Sequence, residues 1–414
     1  MISAMRGVAI AVVIVGACGG GGGGNAAIDG PPGGGDGRGI DAPPGTVTLR
    51  DRQRQLALDL RGVGDFMVGI GNDNSGPYAH GIAIDLHYAY LDGYGDSGGW
   101  PTWNTNGDYP KFFADTAAQH AATPMFTYYQ LALELENHND AVLNDATRMH
   151  QYLADVRLLF SKIAGTGKAA AVQFEPDFFG YLMQRAAMGT SPAQLPAKTH
   201  FADVPECAAL PETASGLTHC VVAIGRAVAP LAKLGFHASM WGAYYDITDP
   251  NADIEASGQA VAAFLASVGA DGTDFVTVET SDRDAGFWET SGGGSTCSIT
   301  NGTRGPVYWD ETNATLPNFA QHLRWVKALT TALQRPALEW QTPLGLPSPT
   351  CGGSDLHWRD DRVHYFFGHV AELIDSGVAG MAFGTGAGGQ TNLDTDADQL
   401  KTAVAGYQAA PTAL

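Results

Sequence analysis

Eight short apolar runs, most of them followed by a stretch with helical spacing, constrain this chain more than any other feature. The runs are Phe66–Gly71, Ile82–Tyr90, Pro124–Leu131, Ala169–Glu175, Phe236–Tyr244, Phe275–Glu279, Pro336–Gln341 and Val378–Gly384. Each has the length and apolar character of a buried strand. Between them, Tyr109–Ala121, Ala141–Ala164, Leu217–Leu234, Ile254–Val268, Phe319–Leu333, Arg362–Ile374 and Asp396–Tyr407 carry apolar residues at helical spacing. Gly235 is a C-cap candidate after the third of these. Asn72–Gly81 is too short for a helix, so that first unit is either a loop alone or has Leu49–Leu60 packed outside it as an N-terminal helix. Regular alternation of this kind predicts α/β architecture, namely a single (β/α)8 (TIM) barrel with long βα loops. An open doubly wound sheet is the competing arrangement. Its first strand should lead into a Gly-x-Gly-x-x-Gly turn, and the chain has none.

Three runs carry a glutamate at or near their ends. Ala169–Tyr181 reads AAAVQFEPDFFGY, with Glu175 at the tip and Pro176 removing the next ladder donor. Glu279 ends the sixth run, and Glu339 stands two residues before the end of the seventh. Strict alternation puts Ala171, Gln173 and Glu175 on one face. A barrel that gathers its strand ends around one mouth gives the three carboxylates a common reason. Few cations lie on these strands, so converging carboxylates would raise one another's pKa, a cost tolerated chiefly at functional sites. The long segments Asp92–Asp108, Gly180–Gly216, Asp282–Pro317 and Thr342–Asp361 are irregular, and such βα loops build the site in a barrel.

The first 48 residues read differently. Arg6 precedes the apolar run Val8–Val15, too short to span a bilayer, and Val15-Gly16-Ala17-Cys18 follows. This resembles the lipobox of a bacterial lipoprotein signal, which implies residues 1–18 as signal and Cys18 as the lipidated residue. A plain secretory signal is the alternative. Residues 19–48, rich in Gly and Pro, are expected to be a flexible tether, and 49–414 the catalytic barrel. The expected location is the bacterial cell envelope, lipid-anchored or secreted, with the membrane touched only through the anchor.

Four further cysteines, Cys207, Cys220, Cys297 and Cys351, suggest disulfides in an exported chain. Cys207–Cys220 and Cys297–Cys351 are the expected pairs, with free buried thiols as the alternative. The formal net charge of −20 disfavours nucleic acid, since phosphate binding needs a basic face. A monomer is expected.

On the strand-end faces stand Asp85 and His87, Tyr128 and Gln130, Glu175 with Asp177 beyond, His237, Trp241 and Tyr244, Glu279 with Asp282 beyond, and Glu339 with Gln341. In this architecture the chain resembles the clan of retaining glycoside hydrolases built on (β/α)8 barrels. That clan carries its acid/base glutamate on strand four and its nucleophile on strand seven, and Glu175 and Glu339 take those places. Phe174 stands where the clan has Asn. The resemblance implies hydrolysis of O-glycosidic bonds of an extracellular poly- or oligosaccharide, without a cofactor. Retention needs the two carboxyls about 5–5.5 Å apart, and inversion about 6.5–9.5 Å. Asp85, His87, Gln130, Asp177, Trp241, Tyr244, Glu279, Asp282 and Gln341 are the expected substrate contacts. Trp100, Trp103, Trp241, Trp288, Trp309, Trp340 and Trp358 lie in or beside the expected mouth loops, about half of them as loop core.

Two other readings compete. Asp85, His87, Glu175, Glu279 and Glu339 could ligate a divalent cation, as in a sugar isomerase or phosphodiesterase. Gly384–Gly389 could then cradle a phosphate. Alternatively the chain is a surface lipoprotein that binds glycans without turnover, keeping the aromatics but not the close carboxylates.

Overall fold

The computed structural model describes residues 47–71, 76–281, 309–345, 362–384 and 390–414. The expected leader, Cys18, residues 19–46 of the tether, Asp282, Trp288, Cys297, Cys351, Trp358 and most of Gly384–Gly389 lie outside them. Eight parallel strands close into a barrel in chain order. They are β1 (Met67–Gly71), β2 (Leu86–Asp92), β3 (Thr123–Tyr129), β4 (Ala170–Phe174), β5 (Ala232–His237), β6 (Phe275–Val278), β7 (Ala337–Thr342) and β8 (Val378–Phe383). β8 pairs with β1 to close the ring, with Gly69 opposite Ala382. The architecture is a single (β/α)8 barrel.

Helices ring the barrel: α1 (Leu49–Arg61), α2 (Tyr109–Gln119), α3 (Leu131–Glu136), α4 (Ala146–Ala164), α5 (Phe178–Ala187), α6 (Ala214–Val228), α7 (Ile254–Ser267), α8 (Phe319–Leu333), α9 (Arg362–Gly368), α10 (Val370–Asp375) and α11 (Gln399–Gln408). Their starts are written locally. Thr48 and Asp51 form a capping box on α1. Asp145 accepts from the Thr147 and Arg148 amides at the start of α4, and Asn318 from Gln321 at the start of α8. α1 packs on the outside of β8, where Gln53 donates to the carbonyls of Ile374 and Val378.

Several elements differ from the sequence reading: β2 begins at Leu86 rather than Ile82, and Arg362–Ile374 is split into α9 and α10. β5 begins at Ala232, not Phe236, and Met240–Ala243 is a 3-10 turn. Gly235 is a strand residue rather than a helix cap. A Cβ there would lie 2.2 Å from the Phe275 ring of β6, so glycine makes room for that ring. Phe178–Ala187, most of which falls in the Gly180–Gly216 segment read as irregular, is helical, and buries Phe178, Phe179 and Leu182. α3 shares only Leu131 with the run read as β3; its first amides are answered from the end of β4, as described below.

Inside the barrel, Gln173 of β4 donates to Thr127 of β3 at 2.7 Å and accepts from Thr277 of β6. β4 and β6 are not neighbours, so this bridge crosses the interior and fixes which face of each strand looks inward. The alternate residues Val172 and Phe174 pack outward, Phe174 against Phe160 of α4. Cys207 and Cys220 are joined, tying the loop before α6 to that helix. Among the described residues no helix is long and apolar enough to cross a membrane.

Candidate active site

The upper interior of the barrel is filled by rings from distant strands, Tyr88, Trp340 and His237 among them fully buried. Trp340 of β7 lies 6.1 Å from Tyr88 and 5.7 Å from Tyr90, both on β2, and 5.6 Å from His237 of β5. None of these strands is its neighbour in the sheet. The contacts therefore run through the interior, and Trp340 points inward. Tyr88 fits because Gly71 and Gly384 flank it; a Cβ on Gly384 would lie 1.9 Å from its hydroxyl. Tyr90 donates to Oε1 of Gln341 at the end of β7. Gln341 has φ 51°, and the β7–β8 register shifts between Glu339 and Thr342. That irregularity lets the consecutive residues Trp340 and Gln341 both serve the mouth.

The turn after β4 brings Asp177 to the same rim. It is half-buried, with φ 71°, and its Oδ1 accepts from Trp241 Nε1 at 3.3 Å. Trp241 rests edge-on against Tyr181 at 4.7 Å and over Gly180, where a Cβ would come within 2.6 Å of its ring. Glu279 follows β6 on the parity of inward-facing Thr277 and is half-buried. Tyr244, beyond the 3-10 turn, is 64% exposed at φ 57°.

Glu175 goes elsewhere. Its φ of 48° breaks the alternation, and Oε2 accepts from the amides of Gln130, Leu131 and Ala132 at 3.0, 2.9 and 3.2 Å. The carboxyl thus caps the first turn of α3, beside Tyr152 of α4. Burial pushes its pKa up to about 7 against the lowering effect of those amides. That value suits a general acid, yet geometry comes first, and the group is spent on a helix start. Gln130 is part of the same joint, its side chain donating to the Gly93 carbonyl at 3.1 Å.

Glu339 also faces away from the mouth. Its Oε1 meets Nε2 of His322 on α8 at 2.7 Å, with both side chains fully buried. Since Trp340 points inward, its predecessor must point into the helix layer. Asp85 precedes β2 at the opposite end of the barrel. It pairs with Arg61 at 2.8 Å and accepts from the Val68 amide at 2.8 Å. Burial raises its pKa, partly offset by Arg61. His87 lies on the outer face of β2 between Tyr78 and Phe113, where burial lowers its pKa to about 4. Asp85, His87, Glu175 and Glu339 thus occupy four separate places, and among the described residues no cluster of three His, Cys, Asp or Glu is set to hold a metal ion. Trp100 and Trp309 are core, and Trp103 is 39% exposed.

The strand-end reading brings Asp177, Trp241, Glu279 and Gln341 to one rim, with Tyr88, Tyr90, His237 and Trp340 below. Tyr88 and Tyr90 were not singled out by sequence. Their signal was alternation along β2 on the parity opposite to Asp85 and His87.

No protein-family model matches the chain, and no curated protein matches it in sequence. In shape it is similar to an endo-beta-1,4-mannanase double mutant from Cellulomonas fimi, at 12% identity and a TM-score of 0.50, over 89% of this chain and 75% of that one. It also aligns with a GH26 beta-mannanase from Bacteroides ovatus, at 8% identity and a TM-score of 0.48, over 89% and 95%. A third is GH26C from Muricauda sp., at 12% and 0.46, over 86% and 88%. At these identities the likeness is one of fold alone, the closed eight-stranded parallel barrel.

Proposed function

We propose that the protein is a glycoside hydrolase acting on O-glycosidic bonds of an oligo- or polysaccharide, with Asp177 and Glu279 as its working carboxylates. The observation that carries this reading is the inward gathering of Tyr88, Tyr90 and Trp340 beneath a rim that bears those two acids. Aromatic faces suit the C–H faces of sugars, and a few placed polar groups fix orientation. Glycosidic cleavage needs one carboxyl as acid and a second as nucleophile or base. Asp177 and Glu279 follow β4 and β6, on either side of the His237 strand. An envelope or secreted location fits the Cys207–Cys220 bridge, since such bonds persist in oxidising compartments.

One observation favours a second reading. The strand-four and strand-seven glutamates are both held in buried contacts with the helix layer, so the mouth could bind glycans without cleaving them. A panel of neutral and acidic glycans, assayed with and without chelator, separates the two. Turnover that ignores chelator, falling about 100-fold or more in both Asp177→Asn and Glu279→Gln, is expected. Glu175→Gln and Glu339→Gln should retain most of the activity of whatever fraction folds. Binding without turnover would establish the second reading, and chelator-sensitive turnover would overturn both.

A further inference from the structure

β5 delivers His237 to the inside of the barrel, because its neighbour Phe236 stacks outward on Phe179 of α5 at 4.4 Å. The ring is 1% exposed and stands edge-on to Trp340, at 5.6 Å and 74°. Its Nδ1 faces the backbone N–H of Asp177 at 3.5 Å and the hydroxyl of Ser239 at 3.1 Å. A backbone N–H can only donate, so Nδ1 is the accepting nitrogen and the ring proton sits on Nε2. The Ser239 hydroxyl rotates to donate to the same atom. A doubly protonated ring would turn a second N–H against that of Asp177. Burial opposes the charge as well, lowering the pKa to about 3.

Nε2 therefore carries a hydrogen, and no acceptor answers it among the described residues. A buried donor left unanswered costs the fold the full desolvation of that group. Buried polar groups in folded proteins are rarely left so, and an exception calls for a reason such as a ligand.

We infer that His237 is a specificity-determining donor, whose Nε2–H binds a hydroxyl or ring oxygen of a neutral sugar held against Trp340. This rests on the carbohydrate reading above and narrows its substrate class. A neutral imidazole donates to a neutral oxygen with no counter-ion. Asp177 and Glu279 on the same rim, and a chain of net charge −20, disfavour uronate or sulfated sugars.

The test compares the full protein with His237→Phe, which keeps a ring without a donor, and His237→Gln, whose amide restores one. Mannohexaose, cellohexaose and hexagalacturonate are the probes, with affinity read by calorimetry and the wild-type ring read by nitrogen NMR. The free protein should show the Nε2–H tautomer, and that resonance should move when a neutral probe is added. His237→Phe should bind the neutral probe at least about tenfold more weakly. His237→Gln should bind within about threefold of wild type. An Nδ1–H tautomer, wild-type affinity in His237→Phe, or tighter binding of hexagalacturonate would overturn the inference. Because the ring NMR is read on the wild type, it decides even if a variant fails to fold. If the wild type binds none of the three probes, the carbohydrate reading itself falls, and this inference with it.

Discussion

Glu175 joins a titration to a structural role. Its pKa of about 7 in the fold stands above the ordinary 4.5, so the native state holds a proton that the unfolded chain has lost across that window. The stabilisation from the protonated group is complete below about pH 4.5 and is lost as the pH rises through about 7. The shift corresponds to ~3 kcal/mol. Glu175→Gln keeps an oxygen for the three α3 amides and removes the titration. Urea midpoints at pH 5 and pH 8 should fall for wild type and change by several-fold less in the variant. Equal slopes would show that Glu175 does not control them. The residue was legible as unusual from its place at a strand end before Pro176. Its direction was not, because alternation holds only while the backbone stays extended, and one left-handed residue turned the side chain off its face.

Glu339 shows the same limit for a whole element. Counting inward by twos from Gln341 put Glu339 in the mouth, but the register shift after Glu339 breaks that count. Counting from Trp340, whose partners sit on β2 and β5, gives the outward direction. The sequence offered no sign of the partner His322, seventeen residues earlier on α8. Positions along a strand were therefore easier to read than the faces they take near its end. The pair pins β7 to α8 directly behind Trp340. Glu339→Ala and His322→Ala should each cost about 3 kcal/mol, because the surviving polar group stays buried and unanswered. The double variant should cost clearly less than the sum, with a coupling of about 1–3 kcal/mol in denaturant titrations. Strict additivity would mean that the contact contributes nothing to joining strand and helix.

At the scale of the molecule the barrel was the most legible feature, since strand count and alternation survive errors of several residues in any one element. What the sequence could not display is how the ring is finished at its lower end, a matter of backbone groups hundreds of residues apart. There the last residues pair with the segment between α1 and β1. The Phe66 amide donates to the Thr412 carbonyl at 2.9 Å, and the Leu414 amide to the Gly64 carbonyl at 2.8 Å. Tyr407 of α11 donates to the Phe66 carbonyl at 2.8 Å, and Arg50 of α1 to the Ala413 carbonyl at 3.2 Å. Leu414 is 8% exposed. Removing residues 409–414 would free these partners, expose the apolar surface that Leu414 covers, and leave Tyr407 to hold Phe66 alone. Each backbone bond contributes about 1 kcal/mol and Leu414 about 2 kcal/mol, so a loss of roughly 3–5 kcal/mol is expected. The denaturant midpoint should fall with little change in slope, since the barrel still unfolds as one unit. Glycan affinity at saturating folded fraction should stay within about twofold, because the mouth lies at the other end of the strands. A truncated chain as stable as the full one would show that the barrel closes through its strands alone, with the terminal clasp contributing nothing.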